Sequence, residues 1–391
     1  MKDNLKEEFE NELNNILRYW KLCSVDRDNG GFYGQIDNNN IVNKQAAKGS
    51  VLNSRILWFF SAAYNYNQSP ENLEVAIRSY NYIKDYFIDK QFGGVYWSVD
   101  FEGKPLNTKK QIYALAFAIY GIAEFYKATS DEEALKLAKS LYVDIEKYSF
   151  DPINKGYFEA FSQEWIELPD LRLSDKDANE KKTMNTHLHI LEAYSNLYAV
   201  WPDESLGNQI RDLLNVFAHN IIDKQTYHLN LFFDENWNSK SEIISFGHDV
   251  EASWLLQEAA EVLGDKDLIQ QFMNTAVKMA ASAAGGLEEN GSLSYELEKN
   301  CWNREKHWWV QAEAMVGFFN AFQITREQIY YNRFEKCWKF IKTYVLDHQN
   351  GEWFWGINED FSIMHNQDKV GMWKCPYHNG RACLEMIRRL S

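Results

Sequence analysis

Five short stretches gather side chains able to move protons or hold a polar ligand. In Ser245-Phe-Gly-His248-Asp-Val-Glu251-Ala-Ser-Trp254, a helix would put His248 and Glu251 on one face. The carboxylate would then hold the imidazole in one tautomer or share a sugar hydroxyl with it. In Thr183-Met-Asn185-Thr-His187-Leu-His189-Ile-Leu-Glu192, Asn185 and His189 are helical neighbours, whereas His187 points to another face. On a strand, His187 and His189 would suit a metal, but the period of Leu188, Leu191, Tyr194 and Tyr198 favours a helix. In His307-Trp308-Trp309-Val-Gln-Ala-Glu313, Trp309 and Glu313 share a face, and a flat ring beside a hydrogen-bonding group suits a sugar, apolar on its faces and hydroxylated at its edge. Surface His–Glu pairs and core tryptophans give similar patterns. Asn53-Ser-Arg55 runs into Ile56, Leu57, Trp58, Phe59 and Phe60, where a guanidinium is costly unless it meets a developing oxyanion or a structural carboxylate, two readings of equal weight.

The fifth stretch, Trp373-Lys-Cys375-Pro-Tyr-His378-Asn-Gly-Arg381, admits a metal corner, a plain turn or a catalytic base. Structural zinc sites come as paired short spacings, whereas Cys383 falls inside the last helical run with no second pair to match. The sequence is therefore read as binding no metal. No phosphate-cradling glycine loop, dinucleotide fingerprint or nucleophile elbow appears, so no cofactor is expected. Pro376 and its neighbours are expected to start a helix that holds His378 at a pocket's edge, with Trp373 against the ligand.

Aromatic strand-like segments recur every 60–70 residues, at GFYGQID from Gly31, GVYWSVD from Gly94, GYFEAFS from Gly156, TYHLNLFFD from Thr226, SLSYELE from Ser292 and EWFWGIN from Glu352. A fixed period signals one supersecondary unit repeated around an array. Between the segments apolar residues follow a helical period, predicting runs at 3–20, 50–66, 70–88, 108–128, 131–147, 183–201, 203–222, 248–263, 266–284, 306–324, 326–346 and 377–390. The expected fold is all-α, an (α/α)6 barrel of six helical hairpins with short aromatic β segments at one end. An open solenoid competes with it, but solenoid repeats are usually shorter and polar-capped. With no compositional break, residues 1–391 are expected to form a single catalytic domain.

A net charge of −15 repels nucleic-acid backbones, and neither a signal peptide nor an apolar run of membrane-spanning length is seen. Five mostly isolated cysteines fit a reducing compartment, so the expected location is cytoplasmic.

The segments GHDVEASWL, TMNTHLHILEAY, HWWVQAEA and WKCPYHNGR, in that chain-wide combination, resemble the signatures of the cellobiose 2-epimerases, a branch of the N-acylglucosamine 2-epimerase superfamily. The resemblance implies the same barrel and a cofactor-independent, reversible inversion at C2 of the reducing-end glucose of a β-1,4-linked disaccharide, cellobiose giving glucosyl-mannose and lactose giving epilactose. It implies acid/base roles for His248 and His378, places Arg55, Asn185 and His189 around the reacting carbons, and makes Glu251 and Glu313 carboxylates that assist ring opening and hold hydroxyls. Tyr113, Trp309 and Trp373 would contact sugar. His378 is expected to remove the C2 proton in the glucose direction and His248 to return it. The partner would be a small disaccharide, with no nucleic acid or membrane, and the protein a monomer or weak homodimer. Rival readings are a monosaccharide 2-epimerase or aldose–ketose isomerase on the same barrel, an inverting glycoside hydrolase using Glu251 and Glu313, and a noncatalytic sugar-binding protein.

Overall fold

The computed structural model describes residues 2–391. Its helices are α1 (Lys2–Cys23), α2 (Ser50–Asn67), α3 (Pro70–Tyr82), α4 (Ile112–Thr129), α5 (Glu132–Tyr148), α6 (Met184–Tyr198), α7 (Glu204–Val216), α8 (Phe246–Leu263), α9 (Lys266–Ala283), α10 (Trp308–Thr325), α11 (Gln328–Phe340) and α12 (Tyr377–Leu390). All twelve expected runs are present. Three that looked longer end in π-helical turns, Ile83–Phe87, Phe217–Ile221 and Ile341–Val345, following α3, α7 and α11. Asp131 caps α5 by accepting from the backbone N–H groups of Glu133 and Ala134, and Pro70 opens α3 where a missing N–H costs nothing.

Two kinds of helix alternate along the chain. In α4 every residue from Ile112 to Phe125 is buried, the signature of a helix enclosed on all sides. In α5 only a stripe is buried, Ala134, Leu135, Ala138, Leu141, Tyr142 and Ile145. The even-numbered helices form an inner ring in which α2 packs on α4, α4 on α6, α6 on α8, α8 on α10, α10 on α12 and α12 on α2. The ring is closed, which disposes of the open solenoid. Each inner helix is backed by an outer one, and the sixth hairpin joins the first helix, α1, to the last, α12.

Short β pairings stitch neighbouring units at the end where the inner helices begin. Lys48–Gly49 pairs with Ser98–Val99, Lys110–Gln111 with Ala160–Phe161, Lys182–Thr183 with Phe232–Phe233, Ile243–Ser245 with Glu296–Glu298, and Lys306–His307 with Gly356–Ile357. The bridge between Ile36 and Val370 completes the circle. Five of the six aromatic segments thus contain a strand. GFYGQID does not, making only single bridges through Phe32 and Ile36, since its partner before α12 is irregular.

A buried lysine pins most helix starts. Lys48 meets Asp26 at 2.8 Å, Lys110 meets Asp89 at 2.7 Å, Lys182 meets Asp151 at 2.8 Å and Lys369 meets Asp347 at 2.6 Å. Each aspartate uses its other oxygen to cap a turn between units, so one carboxylate ties a turn to the segment entering the next inner helix.

Where α12 meets α2, a Cβ on Gly380 would collide with the edge of the Phe59 ring. Alanine raises helix propensity by about 1 kcal/mol, but overpacking a filled core costs about 1–3 kcal/mol, and here the obstacle is a ring buried on every side. Gly380→Ala is therefore expected to lower the urea midpoint without changing the slope of the transition, measured by circular dichroism.

Candidate active site

The first two turns of the six inner helices open into one cavity of about 470 Å³. Arg55 from α2, Tyr113 from α4, Asn185 and His189 from α6, His248 and Glu251 from α8, Trp308 and Trp309 from α10, and His378 from α12 lie on its wall, with Trp373 beside them. Six helix N-termini facing one space also bring their positive dipole ends toward it.

Glu313 is the exception among the expected site residues. It is buried behind the wall, its carboxylate accepting from His378 Nδ1 at 2.7 Å, Trp254 Nε1 at 3.0 Å and Arg381 Nη2 at 2.6 Å. It faces protein rather than ligand. Arg381 Nη2 also donates to Glu251 at 2.7 Å, and Nη1 donates to Glu192 and Tyr377. Glu192 in turn accepts from His189 Nδ1 at 3.0 Å and from the Tyr377 hydroxyl at 2.6 Å. With their Nδ1 atoms committed to carboxylates, His378 and His189 keep Nε2 free.

His248 is held otherwise than its spacing implied. Its Nδ1 lies 2.8 Å from Ser245 Oγ, and Glu251 is turned away to Arg381. The Trp309 ring lies beside both acid/base candidates, 4.7 Å from the His248 ring and 5.6 Å from that of His378. His187 bonds to backbone on both sides, Nδ1 with the Thr183 carbonyl at 2.6 Å and Nε2 accepting from the Tyr157 N–H at 2.8 Å, and takes no part in the cavity.

Arg55 pairs with no carboxylate among the described residues. It donates to the Tyr113 hydroxyl at 2.7 Å and the Trp373 carbonyl at 3.4 Å, and its guanidinium rests on the Phe117 and Tyr377 rings at 4.1 and 4.6 Å. Of the two sequence readings, the structural salt bridge is absent. Its Nε, like Asn185 Oδ1, is buried without a protein partner, an arrangement costing about 1–3 kcal/mol per group unless a ligand engages it.

Burial holds the imidazoles neutral. It draws His248 down to about 3, with His189 adding repulsion, and His189 down to about 4 against the pull of Glu192. His378 is pushed well below its ordinary value by burial and by Arg55 and Arg381. Glu251 moves the other way, raised to about 8 by burial and by the charge of Glu313. Glu313 is raised too, but three donors stabilise its anion and one serves Glu251, so Glu251 is the carboxyl that keeps the proton.

Glu251, Glu313 and His378 are close enough to share a metal ion, yet Arg381 already supplies the cation between the carboxylates. Cys375 and Cys383 are buried thiols that gather with His378 into no ligand set among the described residues. No described helix is long and apolar enough to cross a membrane.

Residues 31–382 match the N-acylglucosamine 2-epimerase (GlcNAc 2-epimerase) family. The chain belongs to that family. Among relatives of this N-acylglucosamine 2-epimerase family member is the cellobiose 2-epimerase of Bacteroides fragilis, 50% identical over 390 residues covering 99% of this chain and 100% of the relative. The cellobiose 2-epimerase of Ruminococcus albus is 41% identical, covering 96% of each chain. The structure of cellobiose 2-epimerase from Bacillus thermoamylovorans superposes with a TM-score of 0.95 at 40% identity, covering 99% of this chain and 100% of that one.

Sequence reasoning missed three residues that organise this family member's site. Arg381 and Tyr377 stood in the quoted WKCPYHNGR but were assigned nothing, and Glu192 closed another quoted segment unremarked. The available signal was spacing, since Arg381 lies one helical turn beyond His378 and Glu192 one turn beyond His189.

Proposed function

We propose that this chain inverts C2 of the reducing-end glucose of cellobiose, reversibly and without a cofactor, and does the same for related β-1,4-linked disaccharides. The observation that carries the reading is the convergence of His248, His378 and His189, all neutral, with an arginine that has no carboxylate partner, in one aromatic-walled cavity. Neutral imidazoles accept protons, and an unpaired buried cation awaits negative charge.

The sugar must first open. Glu251, protonated, gives its proton to the ring oxygen while His248 takes the proton of the C1 hydroxyl, leaving an aldehyde that acidifies C2–H. His378 Nε2 removes that hydrogen, and the charge spreads onto the enediolate oxygens near Arg55, Asn185 and His189. Imidazolium and enediolate form together, so the anion offsets the cost of charging a buried histidine. His248, loaded with the former hydroxyl proton, delivers it to the opposite face of C2. Closing the ring returns the first proton to Glu251, and the proton on His378 passes to the new C1 hydroxyl, restoring every group. Tyr113, Trp309 and Trp373 supply ring surfaces for the two sugars.

The hydrolase reading fits less well. The Glu251 and Glu313 carboxylate oxygens lie within 4.8 Å of one another and share one guanidinium, whereas an inverting pair stands about 6.5–9.5 Å apart across the scissile bond. Incubation with cellobiose in heavy water is the test. A mannose-ended disaccharide carrying deuterium at C2, with no free glucose, supports the proposal, and cleavage or an unexchanged substrate rejects it. Parallel runs with mannose and N-acetylglucosamine separate the monosaccharide enzymes.

The same chemistry sets a pH limit. Because Glu251 must enter as the acid and its pKa is raised, the required proton is present below about pH 8 and lost above it. Initial rates should therefore fall on the alkaline side, and Glu251→Gln should leave a slower enzyme without that limb. An alkaline limb that persists in Glu251→Gln would assign it to another group.

A further inference from the structure

One buried group has no part in the steps above, and its contacts are the densest in the site. Arg381 touches three carboxylates on three inner helices, Glu192 of α6, Glu251 of α8 and Glu313 of α10, while resting against the Trp254 and Tyr377 rings at 4.8 and 4.2 Å. Two of these carboxylates carry histidines on their other side. The result is one buried chain, His189–Glu192–Arg381–Glu313–His378, joining the back nitrogens of two histidines on the cavity wall.

We propose that Arg381 is a positioning residue for the epimerisation: through Glu192 and Glu313 it fixes both His189 and His378 as the tautomer protonated at Nδ1, with Nε2 bare toward the cavity. The inference rests on the function proposed above. A carboxylate accepts a hydrogen bond from Nδ1–H, whereas a carboxylic acid donates one to bare Nδ1 and drives the proton to Nε2. With Glu251 already protonated, Glu192 and Glu313 are the two buried anions of the cluster, and without a counter-cation they would not both stay ionised. Arg55, the guanidinium on the cavity wall, is turned to Tyr113 and Trp373. Without Arg381, a proton on Glu313 would present His378 to the substrate as Nε2–H, unable to take a hydrogen from C2. One guanidinium thereby sets the state of two side chains it does not touch.

Arg381→Met, Arg381→Lys and Glu192→Gln test this in full-length protein labelled with nitrogen-15 at histidine, the tautomers being read by long-range proton–nitrogen correlation without substrate. The wild type should show Nδ1–H at His189 and His378. In Arg381→Met at least one should shift to Nε2–H, and kcat on cellobiose should fall by about 10²-fold with KM changed less than about threefold. Lysine, which keeps the charge, should restore the wild-type tautomers and recover at least about tenfold of the lost rate. If Arg381→Met does not fold, Glu192→Gln decides, since its amide should turn towards His189 and shift that ring alone. Nε2–H tautomers in the wild type overturn the proposal, as do unchanged tautomers in Arg381→Met or, failing its folding, in Glu192→Gln, whatever the activity. Failure of the wild type to exchange deuterium at C2 would instead remove the proposed function and leave the tautomer measurement standing.

Discussion

His378→Ala should lose cellobiose epimerisation by at least about 10³-fold while keeping its fold. The expected loss is large because no other group on the wall duplicates its position: Glu313 holds its Nδ1, Trp309 flanks it, and α12 presents it one residue inside the helix start. Thermal unfolding should change by only a few degrees, since the residue is neutral in the fold and Arg381 still occupies Glu313. His248→Ala should fail differently. With His378 intact, glucose can lose its C2 hydrogen and regain deuterium on the same face, so slow exchange without a mannose product is expected in heavy water. Proton NMR of the C2 position read alongside chromatography separates the two. If His378→Ala retained full activity, or His248→Ala still made the epimer at the wild-type rate, the assignment of a base to each face would be wrong.

Arg55→Met is expected to cost about 10²- to 10³-fold in kcat, the range for removing one fixed donor from a developing oxyanion, with a smaller change in KM. The companion result concerns stability. An arginine held by a structural ion pair would leave a buried carboxylate stranded on removal, at several kcal/mol. Arg55 has no such partner among the described residues, only a tyrosine hydroxyl, a carbonyl, the Cys375 thiol and three ring faces, so methionine relieves a buried charge and the melting temperature should stay level or rise. Lower activity with equal or higher stability would mark a group kept for chemistry. A steep drop in melting temperature would instead show that Arg55 is structural.

The helices were legible because each carries its own period, and the alternation of enclosed and striped helices carries the barrel with it. Closure was less so, because the contacts of α12 with α1 and α2, and of Ile36 with Val370, join residues more than three hundred positions apart. The same divide runs through the site. Local density picked out His248, His189, His378 and Arg55, since reactive side chains crowd into the first two turns. Local spacing then chose a wrong partner: Glu251 is one turn from His248, but the serine that meets the imidazole is one turn earlier, and the arginine that claims Glu251 comes from α12. Glu313 shares a helix with Trp309, yet packing against Trp254 and Arg381 draws it off the cavity wall. Helical geometry says which side chains are adjacent on one helix; which of them turns to another helix depends on where buried charges balance.

The sixth hairpin, built from the first helix and the last, has a consequence for how the protein comes into being on the ribosome. Domains fold as units, and this one draws its closing contacts from its last helix. Until α12 clears the exit tunnel, the surfaces of α1, α2 and α10 that it covers lack their final neighbour, and His378 and Arg381 have yet to arrive. Apolar surface left uncovered in that interval is prone to aggregation, and catalytic competence waits for α12, which carries His378.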